Sequence, residues 1–236
     1  MKHRRWLWLT VSGVLCAALL AGVLCVHPFP TAVVSGSEQR RPILIDAGHG
    51  EFDGGALAPD GTQEKDINLQ IASKLSMMLT ALGYEVVMTR RSDKGLHADD
   101  NVAIREKKVS DMNARLALYD NAWFNISIHQ NMFTPSCEGT QLFYSANHPC
   151  SKALALCIKD EIVAQVQPDN TRELKVGNNN IFLLHKTVKP TVLVECGFLS
   201  NAKELAKLKD PSYQNQLAFA IACGAARYAG EKGDIV

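Results

Sequence analysis

The stretch Ile43-Leu44-Ile45-Asp46-Ala47-Gly48-His49-Gly50, carried on by Glu51-Phe52-Asp53-Gly54-Gly55-Ala56 and ending at Glu64, decides how this chain reads. The apolar run Ile43 to Ile45 lies between Pro42 and the glycines at 48 and 50. That is the pattern of a buried strand stopping in a glycine-rich turn. The turn carries His49 among Asp46, Glu51 and Asp53, and Glu64 then heads a helical pattern. Imidazole and carboxylate are donor types that Zn²⁺ takes. The carboxyl edge of an open α/β sheet is where such sites are built.

Outward from this stretch, Ile67, Ile71, Leu75, Met78, Leu79 and Leu82 recur at helical spacing, with Gly83 placed as a C-terminal cap. Tyr84 to Thr89 reads as a second strand. Lys94 to Lys108 reads as a loop entering a helix whose stripe is Val109, Met112, Leu116 and Tyr119. A third strand, Phe124 to Ile128, ends on His129, followed by Gln130 and Asn131, and Gly139 to Ser145 alternates weakly as a fourth. Leu154, Ile158, Ile162 and Val166 mark another helix, and Ile181 to Leu184 a short strand. Thr191 to Val194 is a buried strand ending on Glu195, and Tyr213, Leu217, Ile221, Ala225 and Tyr228 close the chain as a helix.

Strands alternating with helices predict a three-layer α/β/α domain with a mostly parallel central sheet over residues 42–236. Parallel strands would bring His49, His129 and Glu195 to one edge. Two histidines and one carboxylate leave a fourth zinc position for water, the mark of a catalytic site. Zinc acidifies water and polarises a carbonyl, and a further carboxylate can carry the proton to the leaving amine. Spacing leaves Asp46, Glu51, Asp53 and Glu64 all open as the carboxylate ligand, and gives Glu195 as a base by position.

Residues 1–34 are of another kind. Lys2, Arg4 and Arg5 precede Trp6 to Val26, 21 residues without a charge. About 20 apolar residues cross a bilayer, so the segment reads as an uncleaved signal-anchor with its N-terminus inside and the rest extracytoplasmic. Val34-Ser35-Gly36 is a weak cleavage site for the secreted alternative, and residues 35–41 form a linker. Setting aside those three of the 25 basic residues leaves 22 against 24 acidic, a formal −2, which argues against nucleic acid as a partner. Of seven cysteines, Cys137, Cys150, Cys157, Cys196 and Cys223 lie downstream of the apolar run, without a CxxC pair. They indicate neither a cysteine zinc site nor a disulfide framework.

Four blocks in order resemble the zinc-dependent N-acetylmuramoyl-L-alanine amidases of bacterial cell-wall metabolism, the type 3 group. They are ILIDAGHG with its turn; Glu64-Lys65-x-x-Asn68-Leu69-x-Ile71-Ala72 ending in Gly83 and Thr89-Arg90; Ser127-Ile128-His129-x-Asn131; and Pro190-x-Val192-Leu193-Val194-Glu195-x-Gly197-Phe198-Leu199-Ser200-Asn201. The resemblance implies Zn²⁺ held by His49, Glu64 and His129, Glu195 as general base, and peptidoglycan as the substrate. Gln130 and Cys196 depart from the small residues usual there, and Gln130 is expected to alter the groove. The anchored single-domain build further resembles amidases acting on spore cortex. The connections after Asn131 and between Val166 and Ile181 are too short for a long helix over the site, which predicts an open groove, with targeting and control supplied from outside by the membrane segment, a protein partner or the timing of expression.

Other readings stand beside these. Glu195 could cap the helix beginning near Ser200 or Asn201. Arg115 and Arg172 could hold substrate carboxylates or make surface salt bridges. His97, His148 and His185 carry no motif, and the sequon at Asn125 falls in a strand. A zinc peptidase on the same fold, a general wall-remodelling amidase and a non-catalytic wall-binding module are the alternative functions.

Overall fold

A computed structural model describes residues 41–232. The expected signal-anchor, residues 1–34, lies outside the described residues. Among those described, no helix is long and apolar enough to cross a membrane.

Six strands form one sheet: β1 (Ile43–Ala47), β2 (Val86–Met88), β3 (Asn125–Asn131), β4 (Gln141–Tyr144), β5 (Lys175–Val176) and β6 (Thr191–Phe198), in the order β2-β1-β3-β6-β4-β5. β1 pairs in parallel with β2 and β3, and β3 with β6. β4 runs antiparallel to β6 and carries the two-residue β5. The sheet is therefore mixed, with its parallel half holding the turn at His49. Among the described residues six helices accompany it: α1 (Glu64–Ala81), α2 (Ile104–Asn121), α3 (Ser151–Gln165), α4 (Phe182–Lys186), α5 (Ala202–Lys209) and α6 (Pro211–Lys232).

All five residues of β1 are buried, as a strand covered on both faces requires. The period of two then sorts side chains by layer. Ile43, Ile45, Ile126, Ile128, Val192 and Val194 join the large core under α1, α3 and α6, whereas Leu44 belongs to a smaller core with Tyr119 and Leu183 under α2 and α4. Asp46, Ser127, His129, Leu193 and Glu195 occupy the alternate positions and line one cavity on this second side. The small core leaves room for a site.

Three elements differ from expectation. Ile181 to Leu184 is not a strand; Phe182–Lys186 is the short helix α4, with Leu183 and Leu184 buried. A four-residue apolar run has no readable period. Met112, Leu116 and Tyr119 of α2 face the smaller core as expected, but Val109 is 57% exposed and the fully buried row is Asp111, Arg115 and Tyr119. Polar residues take that face because Arg115 and Tyr119 meet Asp46 and Asp111 meets Arg115. β6 does not end at Val194 but runs on to Phe198, so Glu195 is within a strand, paired across from His129.

Candidate metal centre and catalytic site

Two arginines hold the turn after β1. Arg90 donates from Nε to the Ala47 carbonyl at 2.9 Å and from Nη2 to those of Gly48 and Lys65 at 3.0 and 2.7 Å. Arg115, 1% exposed, donates to the carbonyls of Ala47 and His49 at 3.1 and 2.7 Å and to Asp111 Oδ2 at 2.7 Å. It also pairs with Asp46. Asp46 accepts from Thr89 Oγ1 at 2.9 Å and from Tyr119 OH and Ser127 Oγ at 2.8 Å each. With its carbonyls captured, the turn can hold His49 at φ 62° and Glu51 at φ 51°, a region costly for residues with a Cβ.

Arg115 is thus an internal strut, neither a substrate clamp nor a surface ion pair. Arg172 is not at the site; it donates to the Glu138 carbonyl at 2.7 Å and stacks over Phe198 at 4.6 Å. Burial alone would raise the Asp46 pKa; Arg115, His129 and the Ser127 and Tyr119 hydroxyls override it and hold the carboxyl below the usual carboxylate range. Asp46 therefore stabilises the fold above its unfolded pKa of 3.8, and that contribution is lost as pH falls below it. Arg115→Ala should cost about 3–5 kcal/mol near pH 7, because it strands a buried carboxylate. The penalty should shrink towards pH 4 by up to about 1.4 kcal/mol per unit as Asp46 of the variant takes up a proton. Urea unfolding at both pH values measures it, and a penalty under about 1 kcal/mol would refute the strut.

The four carboxylates left open by spacing have separate places. Asp46 lies beneath the turn, and Glu51 turns outward to the Gly95 amide at 2.7 Å. Asp53 Oδ2 sits 2.9 Å from His49 Nδ1, fixing the ring from behind. Glu64 alone faces both histidines: Oε2 is 3.3 Å from His49 Nε2 and Oε1 is 2.9 Å from His129 Nδ1. It arrives at the first turn of α1, where the helix dipole favours an anion. Glu64 is further held by the amides of Ala56 at 2.9 Å and Gln130 at 3.1 Å and by Asn68 Nδ2 at 3.2 Å.

The donor set fits zinc. One atom each from His49, Glu64 and His129 lies within 4.8 Å of the others. Ligands ~2.0–2.1 Å from a tetrahedral zinc stand ~3.3 Å from one another, close to the separations here. Burial would lower the His49 pKa, but hydrogen bonds to Asp53 and Glu64 override it and raise it to about 10. Burial would raise that of Glu64, but His129 and His49 hold it well below the usual range. A metal ion entering this cluster must displace protons.

Glu195 is of the opposite kind. Burial pushes its carboxyl up to about 7, with His129 and His49 opposing and Glu64 assisting. Its Oε2 is buried and, among the described residues, has no hydrogen-bond partner. It does not cap a helix, since Asn201 caps α5 by accepting from the amides of Lys203 and Glu204. A cavity of about 330 Å³ joins Glu195 to His49 and His129, with Lys108 on one side and Phe182 and Leu183 of α4 as an apolar wall. Cys196 points to the large core, fully buried, where burial raises its thiol and removes it as a nucleophile. All five described cysteines are free.

Gln130 does not shape the groove as expected. It is 3% exposed, lies off the groove, and donates from Nε2 to Asn68 Oδ1 at 3.2 Å, while Asn68 also donates to the Gly48 carbonyl at 3.1 Å. The strut of Asp46, Arg115 and Tyr119 went unread. Its one sequence trace is the i, i+4, i+8 spacing of Asp111, Arg115 and Tyr119.

The chain is similar to proteins of known class. A family model described as N-acetylmuramoyl-L-alanine amidase matches residues 43–227. The germination-specific N-acetylmuramoyl-L-alanine amidase of Bacillus subtilis is 35% identical over 81% of this chain and 81% of its own. The solved CwlD amidase of Clostridioides difficile, in complex with the GerS lipoprotein, is 39% identical with a TM-score of 0.77, covering 81% of this chain and all of that one. The catalytic domain of CwlV, an N-acetylmuramoyl-L-alanine amidase from Bacillus (Paenibacillus) polymyxa, is 32% identical with a TM-score of 0.67 over 80% of this chain and 98% of that one. Fold and matches agree, and the chain belongs to the N-acetylmuramoyl-L-alanine amidase family as an enzyme of that class.

Proposed function

We propose that the chain holds Zn²⁺ through His49, Glu64 and His129 and hydrolyses the amide between the lactyl group of N-acetylmuramic acid and L-alanine of the peptidoglycan stem peptide in spore cortex. The observation that carries the chemistry is the meeting of three donors with a buried, unpartnered carboxylate on the adjacent strand. Bound zinc would supply Lewis acidity towards the scissile carbonyl and acidify water. The residues of the chain do the rest. Asp53 fixes the His49 ring, and the amides of Ala56 and Gln130 fix Glu64. Glu195 takes the proton of the attacking water and delivers it to the leaving amine nitrogen, so the amide C–N bond breaks to a carboxylate and an amine. The polar end of the cavity suits the reacting amide, and the wall from α4 suits the lactyl methyl group.

Cortex as the substrate rests on the 35% and 39% identities to a germination-specific amidase and to CwlD. The lipoprotein complex of CwlD supports a protein partner for this chain as well. Residues 132–140 and 166–181 carry no α-helix that could cover the groove, which suits control from outside. The test is muropeptide mass analysis. Digestion should release intact stem peptides beginning with L-alanine, and a deletion strain should make spores whose cortex lacks peptide-free muramic residues. Cleavage within the stem would move the enzyme to the peptidases. A normal cortex with failed daughter-cell separation would move it to general wall remodelling.

A further inference from the structure

Behind the catalytic turn lies a second group of metal-ligating side chains, Glu51, His97 and Asp100, whose donor atoms lie within 4.8 Å of one another. The His97 ring is packed edge-on against Phe52 at 5.0 Å, and its side chain is 4% exposed. Nε2 is 2.7 Å from Asp100 Oδ1. Nδ1 is buried, has no hydrogen-bond partner among the described residues, and faces Glu51 Oε2 at 3.9 Å. A buried ring nitrogen left without a partner is costly unless something fills its lone-pair direction.

We propose that His97 Nδ1 and Glu51 form an accessory site for a divalent transition-metal ion, separate from the catalytic donors. Asp100, on the far ring nitrogen, accepts a hydrogen bond from Nε2–H and so leaves Nδ1 as the ligand, the carboxylate–histidine–metal arrangement. Lys107, 3.7 Å from Asp100 Oδ1, keeps that carboxylate on the Nε2 side. Glu51 is already anchored: Asp93 accepts its amide at 2.7 Å, Lys65 Nζ takes its carbonyl at 2.9 Å, and its carboxylate accepts from the Gly95 amide. Imidazole with carboxylate and water is a donor set for Zn²⁺ or Ni²⁺ rather than for Ca²⁺ or Mg²⁺. Two protein ligands make it weaker than the three-donor centre. Because Glu51 follows His49 by two residues, the ion would tie the segment carrying Asp93 and His97 to the catalytic turn.

The rival is an imidazolium shared between the two carboxylates. Zinc titration of the full-length protein, followed by elemental analysis and calorimetry, separates them. Wild type should take up about two equivalents with distinct affinities, and His97→Ala and Glu51→Gln should each lose the weaker one. His49→Ala should keep that weaker one, so failure of the catalytic zinc assignment would show as a different missing equivalent. Nitrogen NMR of the His97 ring should show Nε2 protonated and Nδ1 shifted by the metal. Saturation at one equivalent, a weaker equivalent surviving in both His97→Ala and Glu51→Gln, or a doubly protonated ring at saturating zinc would each overturn the site.

Discussion

Glu195→Gln is expected to lower the turnover of the lactyl–L-alanine amide by about 10²–10⁴-fold while leaving the metal bound, the range that general acid–base groups contribute. The change keeps side-chain volume and removes the basic oxygen. The pH profile distinguishes this from a structural defect. Burial raises Glu195 to about 7, and the base must be ionised to act, so wild-type rate should rise with pH through this group and then level. A bound zinc ion draws the ionisation lower by its charge. In Glu195→Gln that limb should vanish from the residual rate.

Stability gives an independent reading of the same carboxyl. A folded-state pKa raised above 4.5 means that the native state holds its proton more tightly than the unfolded chain. Stability tied to Glu195 is then fully present below pH 4.5 and lost as pH rises through the folded value. In chelator, Glu195→Gln should overtake wild type by up to about 3 kcal/mol between those limits. A variant losing its zinc would instead make Glu195 a ligand. One keeping full activity would remove it from the chemistry.

The parts of the site legible in sequence were those written in short-range pattern. Apolar runs ending on His49, His129 and Glu195 placed three groups on parallel strands, and β1, β3 and β6 do pair in parallel. Which carboxylate meets the histidines was not legible. Asp46, Glu51, Asp53 and Glu64 sit within one turn and helix start, and strand alternation and positive-φ geometry send them to four different places. Only the family resemblance singled out Glu64. The support of the site was hidden because polar contacts carry no period. Nothing in the spacing of Arg115 shows that it reaches 69 residues back to Asp46. Gln130 stands beside a ligand but not in the groove, because a strand residue one step from His129 must face the opposite layer. The misread Ile181 to Leu184 segment belongs to the same class: four apolar residues serve a strand or a helical turn equally well.

Gly48→Ala should abolish zinc binding at the catalytic centre as completely as His129→Ala, although it removes no donor. A Cβ built at Gly48 would lie 2.3 Å from both Cε1 and Nε2 of His129 and 2.8 Å from its Cδ2. Contacts that short cannot persist. The ring cannot simply slide, since Nδ1 faces Glu64 Oε1 at 2.9 Å and Glu64 is pinned by the Gln130 amide beside it. Nor can the backbone of Gly48 recede easily, because its carbonyl is held by Arg90 and Asn68 and its amide by the Ile128 carbonyl at 3.1 Å. The ring must therefore rotate away, taking one of three donors with it. Losing one ligand of a three-donor set costs several orders of magnitude in zinc affinity, roughly the 10–100-fold of an orienting partner compounded by the loss of the bond itself. The sheet core lies on the other side of this strand, so the variant should fold. Elemental analysis after dialysis against weak chelator should find no metal retained at the catalytic centre in either variant, with far-ultraviolet dichroism unchanged. Retention of zinc in Gly48→Ala would show that His129 holds its metal from a different rotamer. Retention in His129→Ala would remove His129 from the ligand set altogether.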